Sequence, residues 1–209
     1  MVGTADDGGH ATQPPAQSGR ILVVCTANVA RSPLAAVLVE AAAARRGAAG
    51  ITVDSAGVRA RTGDPAAAET ARLAARYGQD LSGHGSRHVD QVTPGSSDLV
   101  LTMTLDQRDH LGLRYTGLGP RVFALLEAAR LAAVVLEDGA QPSEPPGPAR
   151  LRAAVHRLHR TRPRSAPGAG SEDVADPYRR GAAAYAAMAD TLAPAVTTLA
   201  QVLFGPAAE

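Results

Sequence analysis

The sequence predicts an α/β fold: an open, parallel, four-stranded sheet with helices on both faces, in three layers. Three observations predict it. Short β-branched runs alternate with helical segments from residue 20 to residue 204. The first run, Ile21 to Cys25, is apolar throughout rather than at every second residue, as a strand covered on both faces is. The chain also opens as strand, short loop and helix, the start of a parallel unit.

Arg20-Ile-Leu-Val-Val-Cys25 reads as the first strand. Pro33 then sits in a first helical turn, and LAAVLVEAAAARRG carries Leu34, Val37, Leu38 and Ala41 on one face, stopping at Gly47. Ile51–Ser55 is the second strand, and Pro65 to Tyr77 a helix ended by Gly78. Asp98–Met103 is the third strand, followed by a helix near Leu105–Leu113. Arg121-Val-Phe123 is a short fourth strand leading into an apolar helix to about Leu136, and Tyr178–Phe204 is a closing helix with Pro194 as a candidate bend. Residues 1–18 are polar and rich in Gly and Pro, the composition of a disordered tail, which leaves 19–209 as the domain. Residues 137–175 break the alternation. Two Pro/Gly-rich stretches flank a short helix near Arg150–Arg160, which reads as a partly flexible surface insertion.

Composition narrows the function classes. The 209 residues carry a net charge of +1, with 45% apolar and 20% charged residues, an ordinary globular balance without a nucleic-acid footprint. All 21 basic residues are Arg, and aromatics are 3% with no Trp, so the core must be aliphatic. A single cysteine, Cys25, excludes an intrachain disulfide and a Cys-rich metal site. No basic leader precedes an apolar run, and no long uninterrupted apolar run suggests a membrane span. The chain therefore reads as cytoplasmic, with neither nucleic acid nor membrane as partner; the sequence leaves its oligomeric state open.

The chemistry concentrates in Cys25-Thr26-Ala27-Asn28-Val29-Ala30-Arg31-Ser32-Pro33. A loop joining a strand to a helix N-terminus turns amides inward and adds the helix dipole, so it can cradle an oxyanion. Arg31 offers a planar fork that matches two phosphate oxygens. Such an electropositive loop favours the nucleophilic thiolate of Cys25, and the Ser32 hydroxyl is placed to hydrogen-bond it. Asn28 tolerates left-handed backbone angles and can brace the loop. A lone cysteine after an apolar strand is ordinarily an inert buried thiol. The C-x5-R-S-P context at a strand-to-helix turn reverses that reading.

The loop resembles that of the low-molecular-weight protein tyrosine phosphatases, and the resemblance extends through most of the chain. Asp54-Ser55-Ala56-Gly57 is similar to the family's SAG segment, Asp80-Leu-Ser-Gly-His84 to its D-x-S-x-H stretch, and Asp176-Pro177-Tyr178 to its D-P-[YF] motif. The resemblance implies a flavodoxin-like fold and a cofactor-free, metal-free hydrolase of phosphotyrosine proteins or small phosphate esters. It implies that Cys25 attacks phosphorus, that residues 26–32 with Arg31 hold the phosphoryl oxygens, that Asp176 is the general acid and base, and that Tyr178 walls the pocket. Without the cysteine loop, Asp176-Pro177 would read as an ordinary helix-capping signal.

Departures from the family pattern shape the expectations. Ala30 stands where many members carry a second cysteine, and Ala27 where a glycine is frequent. Arg59, Arg61 and Arg179 replace aromatic surroundings with positive charge, which points to an acidic, or less strictly aromatic, substrate. Two alternatives follow: an arsenate reductase coupled to an external small thiol, and a non-catalytic phosphate-binding module. Arg150, Arg152, Arg157, Arg160, Arg162 and Arg164 read as a solvated helix face, the His156/His159 pair as no metal site, and His84 and His88 as local hydrogen-bonding residues.

Overall fold

The structure, a computed structural model, describes residues 18–164 and 171–207. The expected disorder of residues 1–18 therefore falls, but for Ser18, outside the described residues. Four strands form one parallel sheet: β1 (Gly19–Cys25), β2 (Ile51–Gly57), β3 (Leu99–Thr102) and β4 (Val122–Ala124), in the order β2-β1-β3-β4. Six helices connect and close it: α1 (Arg31–Ala44), α2 (Ala68–Arg76), α3 (Leu105–Arg114), α4 (Leu125–Glu137), α5 (Pro148–Thr161) and α6 (Gly181–Phe204).

Successive side chains of a strand face opposite sides of the sheet, and here both sides are buried. Ile21, Val23, Leu99, Leu101 and Phe123 join one large core with α1, α2, α4, α5 and α6. Leu22, Val24, Val100 and Val122 face a smaller one under Leu111 of α3 and Leu118. That is why β1, β3 and β4 show little polar alternation, while the edge strand β2 alternates, with Thr52 exposed and Asp54 half-buried. From β1 the chain crosses to β2 on one side and later to β3 on the other. The carboxyl end of β1 is thus the point where the winding direction reverses, and it is there that open α/β sheets bind ligands. Cys25 is its last residue.

Residues 137–175 differ from expectation. Helix α5 is no surface appendage: Leu151, Ala154, Val155 and Leu158 are buried in the main core. Its basic residues divide accordingly. Arg150 is buried, donating to the carbonyls of Pro142, Glu144 and Gln201, and Arg162 bonds Glu127 and the Val122 carbonyl. His156, Arg157 and Arg160 are exposed, the solvated face expected of this segment, while Arg164 lies outside the residues whose side chains are described. The sequence misleads because Pro/Gly flanks look alike around a loop helix and a core helix; the apolar i, i+3, i+4, i+7 set at 151, 154, 155 and 158 is the signal that separates them.

Helix α6 also departs from expectation. Its 24 residues are long and apolar enough to cross a membrane by length and composition alone. Half of that stretch is buried, with Met188, Leu192, Leu199 and Leu203 inside the main core. The helix runs unbroken through Pro194.

Candidate active site

The loop from Thr26 to Ala30 is held from three sides. Asn28 takes the left-handed conformation, φ 57°, with its side chain completely buried. Its amide nitrogen donates to Ser32 Oγ (3.0 Å) and Ser55 Oγ (2.9 Å), and its Oδ1 accepts from the Arg87 amide (2.9 Å). His84 Nε2 lies 2.7 Å from the Asn28 carbonyl, so the D-x-S-x-H stretch braces the loop, its own turn fixed by Asp80 accepting from the Ser82 amide. His88 Nε2 meets the Val58 carbonyl at 3.1 Å, the local role expected of it.

Gly57 explains the SAG segment. A Cβ there would stand 2.6 Å from the Thr26 carbonyl oxygen and 2.9 Å from the Asn28 nitrogen, both backbone atoms. The next two residues continue alongside the loop, the Val58 amide donating to the Cys25 carbonyl and that of Arg59 to the Thr26 carbonyl. Alongside, Val29 accepts from the Ala67 amide.

At the centre, Cys25 Sγ accepts from Ser32 Oγ (3.0 Å) and from the Asn28 amide (3.2 Å). Two donors on one sulfur suit the thiolate. Helix α1 starts at Arg31 without a side-chain cap, and the amides of Ala27, Val29, Ala30 and Arg31 have no hydrogen-bond acceptor among the described residues. Uncapped helix-terminal amides are an anion site in waiting.

Arg31, 4% exposed, is gripped by a closed ring of hydrogen bonds. Its Nη1 donates to the Val174 carbonyl (3.1 Å), the Val174 amide to the Met103 carbonyl (2.8 Å), and the Met103 amide to Gln107 Oε1 (3.1 Å). Gln107 Nε2 then donates to Thr26 Oγ1 (3.1 Å), which also accepts from Arg31 Nη2 (3.1 Å). The ring ties the loop, the end of β3, the first turn of α3 and the segment before Asp176 into one unit. Asp176 closes on the same guanidinium, Oδ2 to Nη2 at 2.7 Å. Its other oxygen accepts from the Tyr178 amide (3.2 Å), so the turn-forming role an Asp-Pro pair usually plays is present as well.

The residues expected at the site separate on this geometry. Cys25, Thr26, Asn28, Arg31, Ser32 and Asp176 converge; Ala27, Val29 and Ala30 supply backbone. Tyr178 does not join them. Its side chain is exposed, stands outside the cleft, and has the Arg179 guanidinium 5.3 Å from its ring. The cleft above the loop, about 540 Å³, is lined by Thr26, Arg31, Val58, Arg59, Thr104, Asp106, Gln107, His110 and Asp176. Of the three arginines expected near it, only Arg59 lines it. Sequence reasoning missed Gln107, which hides in Thr104-Leu-Asp-Gln107. That spacing reads as a capping box, and Thr104 does cap the Gln107 amide (3.2 Å). The Gln107 side chain, however, reaches the Met103 amide and the loop.

The chain is similar to several known proteins. The probable low molecular weight protein-tyrosine-phosphatase EpsP of Ralstonia nicotianae is 34% identical over 107 residues, 51% of this chain and 70% of that protein. The corresponding phosphatase Etp of Escherichia coli K12 is 36% identical over 102 residues, 49% of this chain and 63% of that protein. Among solved structures, a low molecular weight protein tyrosine phosphatase from T. tengcongensis superposes with a TM-score of 0.63 at 25% identity, covering 87% of this chain and 97% of that one. The YwlE mutant from Bacillus subtilis shares the fold at the same TM-score and 24% identity, over 88% and 97% of the two chains. A sequence model described as low molecular weight phosphotyrosine protein phosphatase matches residues 20–127. With the cysteine loop inside that stretch and the fold matched almost end to end, the chain belongs to the low molecular weight phosphotyrosine protein phosphatase family.

Proposed function

We propose that this chain hydrolyses phosphotyrosine in proteins through a phosphocysteine on Cys25, with Arg31 as the phosphoryl clamp and Asp176 as general acid and then base. Asp176 lies beyond the matched stretch, so one observation carries its role: its carboxylate meets the Arg31 guanidinium at 2.7 Å across 145 residues of chain. Only the fold can bring the two together, and it does so at the mouth of the cysteine loop.

The steps follow from the placement. The Cys25 thiolate attacks phosphorus while the P–O ester bond breaks, and the protonated Asp176 carboxyl delivers its proton to the departing phenolate oxygen. A phenolate, conjugate base of a group that titrates near 10, is a poor leaving group, and a positioned acid is worth about 10²–10⁴-fold. Water then attacks phosphorus, Asp176 accepts its proton, and the P–S bond breaks to return the thiolate. Ser32 and the Asn28 amide hold the thiolate between turnovers. The unpaired loop amides and Arg31 meet the charge on the equatorial oxygens, where fixed dipoles cost no reorganisation.

The polar cleft, lined by Arg59 and by no Phe, Trp or Tyr among the described residues, favours phosphotyrosine in an acidic setting. The test is steady-state hydrolysis of p-nitrophenyl phosphate and of acidic and neutral phosphotyrosine peptides, with Cys25→Ser beside the parent. Abolished turnover in that variant, with a phosphorylated adduct on the parent detected by intact mass, supports the mechanism. Turnover persisting in Cys25→Ser refutes it, and equal turnover of the two peptides refutes the acidic preference.

A further inference from the structure

The hydroxyl of Thr26 is unusually constrained. Gln107 is buried and its side-chain orientation is fixed, because the Met103 amide can be accepted only by Oε1; the NH₂ end must therefore face Thr26. Thr26 Oγ1 thus accepts from Gln107 Nε2, and it accepts again from Arg31 Nη2, which has no lone pair to offer in return. A hydroxyl has two acceptor positions and one proton. With both acceptor positions occupied by obligate donors, the proton has one use left, as a donor away from those partners. Thr26 and Gln107 both line the cleft, and Thr26 shares its Nη2 partner with the carboxylate that closes the site.

We propose that Thr26 donates its hydroxyl proton to a phosphoryl oxygen seated on Arg31, and that Gln107 is a positioning residue that forces this polarity. The inference rests on the phosphate-binding reading of the loop but not on turnover. It adds one charge-assisted donor to the cradle, contributed by a side chain and imposed from α3. It also assigns the T-L-D-Q start of α3 a purpose beyond capping: the turn that caps the helix aims the glutamine at the loop.

Binding of inorganic phosphate, measured by calorimetry on the full chain, tests this without any chemistry. A hydrogen bond to a charged group is worth about 10-fold or more in affinity. Thr26→Val should therefore weaken phosphate binding at least 10-fold, and Thr26→Ser should recover most of it. Gln107→Leu should weaken binding by several-fold in the parent but by clearly less in the Thr26→Val background, because most of the glutamine's effect runs through the threonine and the rest through the Met103 amide. Gln107→Glu keeps an acceptor for the Met103 amide but turns the Thr26-facing end into an acceptor that captures the proton, and should weaken binding at least as much as Thr26→Val. Thermal melts confirm that each variant folds, and Thr26→Ser carries the test should Thr26→Val not. Unchanged phosphate affinity in folded Thr26→Val, or in its place loss of affinity in Thr26→Ser, overturns the donor role. Additive losses in the double variant overturn the positioning role of Gln107. If phosphate binds with this dependence while no ester is hydrolysed, the catalytic reading fails and the inference stands.

Discussion

Replacing Asp176 by Asn separates two roles that the structure combines in one carboxylate. In the free site its Oδ2 neutralises Arg31 at 2.7 Å, while in the proposed mechanism it leaves that partner and protonates the ester oxygen. The substitution keeps size and the acceptor for the Tyr178 amide, and removes both the charge and the proton. The acid's share of rate is about 10²–10⁴-fold, or about 3–5 kcal/mol of barrier. That loss applies where the leaving group needs a proton, so kcat/KM for phenyl phosphate should fall by at least about 10²-fold and for p-nitrophenyl phosphate by clearly less. Binding should move the other way. The Arg31 side chain is 5% exposed and that of Asp176 46%, so the pair is half-screened and worth about 1 kcal/mol rather than the several of a buried pair. Removing this competitor should tighten inorganic phosphate about 5-fold. The assay is kcat/KM, which reports the step that expels the leaving group, across a series of aryl phosphates with phosphate inhibition measured alongside. Equal kcat/KM losses for good and poor leaving groups, with weakened phosphate binding, would show that Asp176 only shapes the turn, and the general-acid assignment would fall.

Three further outcomes are expected. Gly57→Ala drives a methyl against the Thr26 carbonyl and the Asn28 nitrogen, so phosphatase activity should drop at least 10-fold with a stability loss of about 1–3 kcal/mol, read by kcat/KM and urea denaturation. Leu151→Ala should cost about 2–5 kcal/mol in the same denaturation experiment, since α5 is a core helix; a loss under about 0.5 kcal/mol would restore the surface-insertion view. The Tyr115 hydroxyl above all holds the Asp90 carboxyl below its ordinary range; burial, the next effect in size, opposes it, and Arg114 and then His88 add to the lowering. A group lowered in the folded state stabilises it above its unfolded value, near 4, and loses that contribution as pH falls through the folded one. Melting temperature should therefore depend less on pH below about pH 4 in Asp90→Asn than in the parent.

What the sequence makes legible is what short-range pattern encodes. The strands and their buried character, the cysteine loop, the left-handed Asn28 and the Ser32–Cys25 hydrogen bond can all be read from local residue types and spacing. The α5 helix was misjudged because its flanks resemble linkers, although its apolar periodicity was present. Tyr178 illustrates a different limit. A motif places a residue in the chain, but the direction of a side chain on an exposed turn depends on what packs nearby, and here Arg179 lies against the ring instead. Gln107, Val174 and Met103 were invisible for a third reason. Two of them act through backbone groups that any residue carries, and the third works at a distance of 81 residues from its partner.

The allocation of Arg31's donors shows why those unread residues matter. A guanidinium has five N–H groups. Val174 takes one from Nη1, while Thr26 and Asp176 take the two on Nη2. An arriving phosphate dianion has to draw on Nε, on the remaining Nη1 proton, and on the position that Asp176 holds. Thr26 and Val174 are neutral and belong to the ring, so they stay; Asp176 is the one anion and the one half-exposed partner, so it is the group that yields. A doubly charged ligand on Arg31 thus displaces the carboxylate and leaves the ring in place. The same ring that fixes Arg31 through Val174 fixes the segment two residues before Asp176, so that in the proposed mechanism the released carboxyl stays close to the ester oxygen it protonates.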